Sequence, residues 1–169
     1  EDGEGEILVK GPNVMLGYYE NEEATREVFD EEGYFHTGDL GKIDAEGWIY
    51  ITGRSKNLII LSNGKNVYPE EIETELSRIY GISEVIVYEG LSREGAATDL
   101  IVAEIFPDRE ALALRNITDE KKYFDTEVAA LNARSAPHKK IGLVKIREVE
   151  FEKTTTRKIT RFSIDKTVD

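Results

Sequence analysis

The stretch from Asn57 to Gly81, NLIILSNGKNVYPEEIETELSRIYG, packs a strand, a tight turn, a returning strand and a helix into one run. No all-helical or all-β fold accommodates that order. The apolar NLIIL reads as a strand, and Asn63-Gly64 predicts a two-residue hairpin turn with positive φ at both central residues. KNVY then returns. Pro69 suits a first helical position, Glu70, Glu71 and Glu73 complement the helix dipole, Ile72, Leu76 and Ile79 share one face, and Gly81 supplies the stop.

On either side of this run the texture differs. From Gly5 to Thr52 short apolar segments alternate with Gly, Asp and Asn, which predicts strands and tight turns; NEEATREVFD between them predicts a short helix led by acids. After Gly81, SEVIVYEG and DLIVAEIFPD read as strands. REALALR follows as a short helix and residues 119–133 as a longer one, with Phe124, Val128 and Leu131 aligned; GLVKIREVEF reads as a last long strand. The expected fold class is α+β: a β-hairpin and a small sheet flanked by helices, preceded by a β-rich segment. We expect a boundary near Ser55-Lys56, giving a β-rich part over residues 1–54 and an α+β part over 55–169.

Composition narrows the function classes. The 169 residues carry 34 acidic and 22 basic side chains, a net charge of -12, which argues against general attraction to nucleic acid or anionic lipid. Cysteine is absent and the two histidines, His36 and His138, are far apart, so no metal-ligand spacing is legible and no metal site is expected. That fits a reducing cytosol, and cytoplasmic localisation is the expectation. No apolar run approaches the roughly 20 residues of a membrane span, and the first residues lack the basic and apolar regions of a signal peptide. With no initiator Met at its start, the chain is expected to be a fragment or excised domain of something longer. Asn116-Ile117-Thr118 fits a glycosylation sequon, which without a secretion signal we read as unused.

No phosphate-binding glycine loop, dinucleotide fingerprint, zinc-protease helix or serine elbow is present, so a self-contained active site is not expected. Three polar stretches carry the chemistry that remains. In FHTGDLG, Asp39 follows Gly38, and its two oxygens can face paired hydroxyls such as those of a ribose; it can equally terminate a turn. In GRSK, the planar fork of Arg54 can hold a phosphate or ribose oxygen, and Lys56 is placed to change its backbone angles if the two parts move. The plainer alternative is a solvated linker. In EKTTTRKITR, Lys153, Arg157, Lys158 and Arg161 crowd one loop that can deliver an ammonium to a phosphoryl or carboxylate oxygen, or can be an edge protected by its charges.

Taken in order, GEILVKGPNVMLGYY, GYFHTGDLGKIDAEGWIYITGRSKNLIILSNGKNVYPEEIE and KTTTRKITR resemble the adenylate-forming superfamily of acyl-CoA synthetases, firefly-type luciferases and peptide-synthetase adenylation domains. The resemblance implies activation of a carboxylic acid with ATP and Mg to an acyl-adenylate, then transfer of the acyl group to CoA. It implies ATP binding by Asp39, at the ribose hydroxyls, and by Arg54; a hinge at Lys56; and a catalytic ammonium at Lys158, near the substrate carboxylate and α-phosphate. It also implies that the hairpin formed by NLIIL, the Asn63-Gly64 turn and KNVY swings into the cleft for thioester formation, placing Ser62, Asn63 and Gly64 beside the CoA passage.

The final loop departs from the family pattern. Glu152 stands where proline is usual and Arg157 where glycine is usual, and a side chain at position 157 argues against a glycine-only backbone conformation. TTTRK, with EVAALNARSAPHKKI before it, is similar to bacterial long-chain acyl-CoA synthetases. The resemblance therefore implies a long-chain fatty-acid–CoA ligase whose large N-terminal domain, with the phosphate loop, acyl pocket and Mg-binding acid, lies outside this sequence. That missing domain is the expected partner, alongside carboxylic acid, ATP and CoA. No nucleic-acid partner and no transmembrane segment are expected, and peripheral membrane association of the full-length enzyme stays open. The fragment alone is expected to be inactive. The alternatives are a ligase for another acid or for a carrier-protein thiol, and, in another class, a non-enzymatic binding or regulatory module.

Overall fold

A computed structural model describes residues 4–168, in two compact units that divide between Leu58 and Ile59. In the first, strands β1 (Glu4–Val9), β2 (Phe35–Ile43) and β3 (Ile49–Arg54) form an antiparallel meander in sequence order. Helix α1 (Glu22–Val28) lies between β1 and β2; Asn21 caps it by accepting from the Ala24 N–H, and Glu22 and Glu23 occupy its first turn. The β2–β3 turn closes on Asp44, whose Oδ1 accepts from the Glu46 and Trp48 amides. Arg54 does not end this unit. Residues Ser55–Asn57 wind into a 3-10 turn, with the Leu58 N–H donating to the Arg54 and Ser55 carbonyls.

The second unit opens with the hairpin β4 (Ile59–Ile60) and β5 (Asn66–Val67), followed by helix α2 (Pro69–Leu76). The main sheet has order β6-β7-β8: β6 (Ile82–Leu91) pairs antiparallel with β7 (Ala97–Pro107), and β8 (Leu143–Ile146) pairs parallel with β7. Helices α3 (Arg109–Leu114) and α4 (Glu120–Arg134) make the crossover that a parallel pair requires. Side-chain alternation along β7 decides the layers. Ile101, Ala103 and Ile105 join Val67, Leu76, Leu112, Phe124, Val128 and Leu131 in the larger core. Val102 faces the other way, joining Ile86, Tyr88 and Phe151 in a smaller one. The α+β expectation therefore holds, with helices over one sheet face and the C-terminal tail over the other.

Local details differ from the sequence reading in four places. Helix α2 ends at Leu76, short of Gly81, because residues 77–81 turn away. Gly81 has φ 82, and a Cβ there would meet Leu112 Cδ2 at 2.3 Å, so it serves close packing as well as a turn. The last long strand is only four residues: the Arg147 N–H makes a final bond to Ile105 O on β7 at 2.8 Å, while its guanidinium donates to Glu104 Oε1 at 2.6 Å. The 61–65 turn has a three-residue loop: Gly64 N–H donates to Leu61 O (2.8 Å) and Leu61 N–H to Lys65 O (3.0 Å). Only Gly64 has positive φ (75), because Asn63 uses its side chain to accept from the Lys65 amide. Finally, Arg157 does take the conformation expected of glycine, at φ 61.

Candidate functional site

In the first unit Asp39 and Arg54 are direct cross-strand partners on β2 and β3. Arg54 Nε donates to Asp39 Oδ1 at 2.8 Å and its Nη1 to the Thr37 carbonyl at 3.2 Å. The register shift between Leu40 and Gly41 sets this pairing, and Gly38, at φ 71, turns the strand just before it. One carboxylate oxygen is thus engaged, while half of the arginine side chain faces solvent. Lys56 sits two residues on, exposed, in the middle of the 3-10 turn.

In the second unit Ser62, Asn63 and Gly64 are the exposed tip of the β4–β5 hairpin. Asp99 anchors that tip: its Oδ1 accepts from the Ser62 amide at 2.7 Å, and its other oxygen accepts from the Ser62 hydroxyl. These bonds hold the Asp99 carboxyl below the usual Asp range. Asp99 reaches them from φ 56, next to an irregularity in the β6–β7 ladder, where an Asp tolerates the left-handed region better than most residues.

Beside the tip is a cavity of about 500 Å³ lined by Asn63, Lys65, Asp99, Pro137, His138 and Lys140 among others. The 137–141 segment is held by Asn132, whose Nδ2 donates to Ile141 O (2.8 Å) and whose Oδ1 accepts from Ile141 N–H (2.9 Å). Lys139 turns away to Glu71 on α2. Three side chains able to carry positive charge therefore converge on one concave surface. The PHKK cluster was visible in the sequence, but nothing there joined it to Lys65 or Asp99.

Lys158 lies on a different loop of the same unit. Residues 154–158 form a turn with the Arg157 N–H donating to Thr154 O and the Thr154 N–H to Lys158 O, both at 2.8 Å, closed by a bridge between Lys153 and Ile159. Both flanks are tied to the sheet. Lys153 pairs with Glu84 and Glu150, and Arg161 Nη2 spans both oxygens of Glu73 at 2.6 and 2.7 Å while its Nη1 donates to Val87 O at 3.0 Å. Arg157 and Lys158 are exposed, and their side chains make no ion pair or hydrogen bond among the described residues. The structure thus sorts four crowded cations into two anchors and two free groups.

No protein-family model matches the chain. Among solved structures it superposes over 94% of its length on ATP-bound MatB from Rhodopseudomonas palustris, with TM-score 0.73 and 31% identity, covering 29% of that chain. MenE of Bacillus subtilis, an o-succinylbenzoate CoA synthetase in complex with its acyl-adenylate intermediate, gives TM-score 0.76 and 27% identity over 95% of this chain and 30% of that one. Long-chain-fatty-acid–CoA ligase FadD13 of Mycobacterium tuberculosis is 49% identical over 87 residues, 52% of this chain and 17% of that protein. Over nearly its whole length the chain is similar to the adenylate-forming CoA ligases. It matches their C-terminal portion and spans well under a third of any of these relatives. Specificity differs among adenylate-forming relatives of similar closeness: 2-succinylbenzoate–CoA ligase of Oceanobacillus iheyensis is 52% identical over 80 residues, 47% of this chain and 16% of that protein.

MenE has also been solved with ATP and a magnesium ion. Among the described residues of this chain no group of three or more His, Asp or Glu side chains could hold a metal, and Asp39 is engaged by Arg54. The described residues of this chain do not by themselves make up a magnesium site. Nor is any helix of the described residues long and apolar enough to cross a membrane.

Proposed function

We propose that the chain is the C-terminal part of a cytoplasmic ligase that converts a carboxylic acid, ATP and CoA into an acyl-CoA, AMP and pyrophosphate, with a long-chain fatty acid as substrate. The observation that carries this reading is the free ammonium of Lys158 on a turn whose two flanks are pinned by ion pairs. In the first step a carboxylate oxygen attacks the α-phosphorus of ATP, the bond from that phosphorus to the β-bridging oxygen breaks, and pyrophosphate leaves with the electron pair. Two anions meet in that transition state, and an ammonium held without a competing carboxylate lowers their repulsion. Asp39 Oδ2 accepts from the ribose hydroxyls and Arg54 keeps the carboxylate oriented while its open face meets the nucleotide. In the second step the CoA sulfur, having lost its proton to solvent, attacks the acyl carbon and AMP leaves. Ser62, Asn63 and Gly64 border the thiol's path, and Lys65, His138 and Lys140 receive CoA phosphates in the adjoining cavity.

The missing partner is the large N-terminal domain. Ile43, Trp48, Ile49, Tyr50 and Ile51 on the β1–β3 meander are each half or more exposed, an apolar surface that such a domain would cover. Without it the chain is expected to show no ATP–pyrophosphate exchange. In the full-length ligase Lys158→Ala is expected to slow adenylate formation roughly a hundredfold while leaving thioester formation from supplied acyl-adenylate near normal. Equal loss in both steps would make Lys158 structural. The fatty-acid assignment is tested against a panel of acids and thiol acceptors; preference for an aromatic dicarboxylate, the reading favoured by the 2-succinylbenzoate ligase relative, would replace it.

A further inference from the structure

We propose that Arg157 is a second substrate-binding cation, gripping the β- and γ-phosphoryl oxygens of ATP and the departing pyrophosphate while Lys158 serves the α-phosphate. The inference rests on the ligase reading above and adds a residue and a subsite to it.

Two turns in this chain share one hydrogen-bond pattern. In the first, the Gly64 N–H donates to Leu61 O at 2.8 Å and the Leu61 N–H to Lys65 O at 3.0 Å. In the second, the Arg157 N–H donates to Thr154 O and the Thr154 N–H to Lys158 O, both at 2.8 Å. Gly64 and Arg157 hold the same place, with φ 75 and 61. Glycine takes that conformation freely and arginine does so only against the steric preference of its Cβ. The loop geometry therefore gains nothing from an arginine.

Nor does the rest of the fold use it. The Arg157 side chain is exposed and makes no ion pair, hydrogen bond or ring contact among the described residues, in a chain of net charge -12 where the loop's outer cations are each held by carboxylates. Strain kept for a side chain with no internal partner points outward, to a ligand. Its chemistry selects that ligand. A guanidinium offers parallel N–H donors matched to two oxygens of a phosphoryl group, whereas the neighbouring ammonium is a point charge. The step assigned to Lys158 moves negative charge onto the leaving pyrophosphate, so a fork beside that lysine acts where the charge accumulates.

Glycine at position 157 separates charge from backbone, since it keeps the turn and removes only the fork. In the full-length ligase, ATP–pyrophosphate exchange and single-turnover thioester formation are compared for wild type, R157G, R157K and K158A. We expect R157G to raise KM for ATP and for pyrophosphate about tenfold, with KM for the acid and the thioester step from supplied acyl-adenylate unchanged. R157K should recover part of the loss. Exchange that is slowed about a hundredfold by K158A but keeps wild-type KM values in R157G overturns this inference alone. Absence of exchange in the wild-type ligase overturns it together with the ligase reading.

Discussion

Arg157 holds a left-handed backbone conformation that costs a side chain about 1–2 kcal/mol. Arg157→Gly relieves that strain but frees the unfolded chain by about 0.4–1 kcal/mol, so a net stabilisation of about 0.5–1 kcal/mol is expected by urea denaturation. A residue whose removal stabilises the fold is one retained for another reason. Asp99 works in the opposite sense, since its strained backbone serves an internal tie to Ser62. Because its folded pKa is depressed, that tie is present above the usual Asp value of about 3.9 and is lost as pH falls through the lowered folded value. Amide exchange at Ser62 should therefore rise below that range in wild type and be raised at neutral pH in Asp99→Ala. Unchanged protection in the variant would show that the hairpin tip holds itself. Asp99 was illegible in sequence, where it opens an apolar strand run and its partner lies 37 residues away.

Helix α2, strand β6 and the C-terminal loop meet at Glu73. Its carboxylate accepts from Arg161 and from the Val87 amide at 2.7 Å, inside the fold. Burial pushes the Glu73 carboxyl up, opposed first by the Arg161 charge. Removing the cation leaves a buried anion, and Arg161→Leu is expected to destabilise the fold by about 3 kcal/mol near neutral pH. The sign of the pH dependence follows. A folded pKa raised above the unfolded value gives a contribution that is full below the unfolded value and lost as pH rises through the folded one. The variant should thus lie nearest wild type in mild acid and fall furthest behind above neutrality, as denaturant midpoints across pH will show. A constant difference would mean that Arg161 acts through packing alone. The elements themselves were largely legible: α1, α2, α3 and α4 follow from capping residues and helical spacing, and Asp119 caps α4 as an acid before a helix should. The end of β8 was not, because the pairing that bounds it is with β7, far back in sequence.

At the scale of the chain, the boundary after Leu58 falls two residues beyond Lys56, and the 3-10 turn that holds Lys56 is short enough to rewind. We predict that Lys56→Pro, by fixing φ at 56 and disfavouring helical backbone at Ser55, will slow one half-reaction of the full-length ligase at least about tenfold relative to the other. Normal single-turnover rates for both half-reactions would end the hinge assignment.

The order of elements and the positions of the two turns, though not their backbone types, were determined by the sequence alone, because periodicity, capping and turn chemistry act over a few neighbours. Tertiary structure alone decided which charges are available. Of the four cations between Glu152 and Arg161, Glu84 and Glu73 claim Lys153 and Arg161 from distant strands and helices, leaving Arg157 and Lys158 free. Asp39 meets Arg54 only because strand register sets them opposite each other, and Lys65, His138 and Lys140 share a cavity only because β5 and the segment after α4 close on it. Charge pairing depends on distance in space, which the chain acquires only by folding.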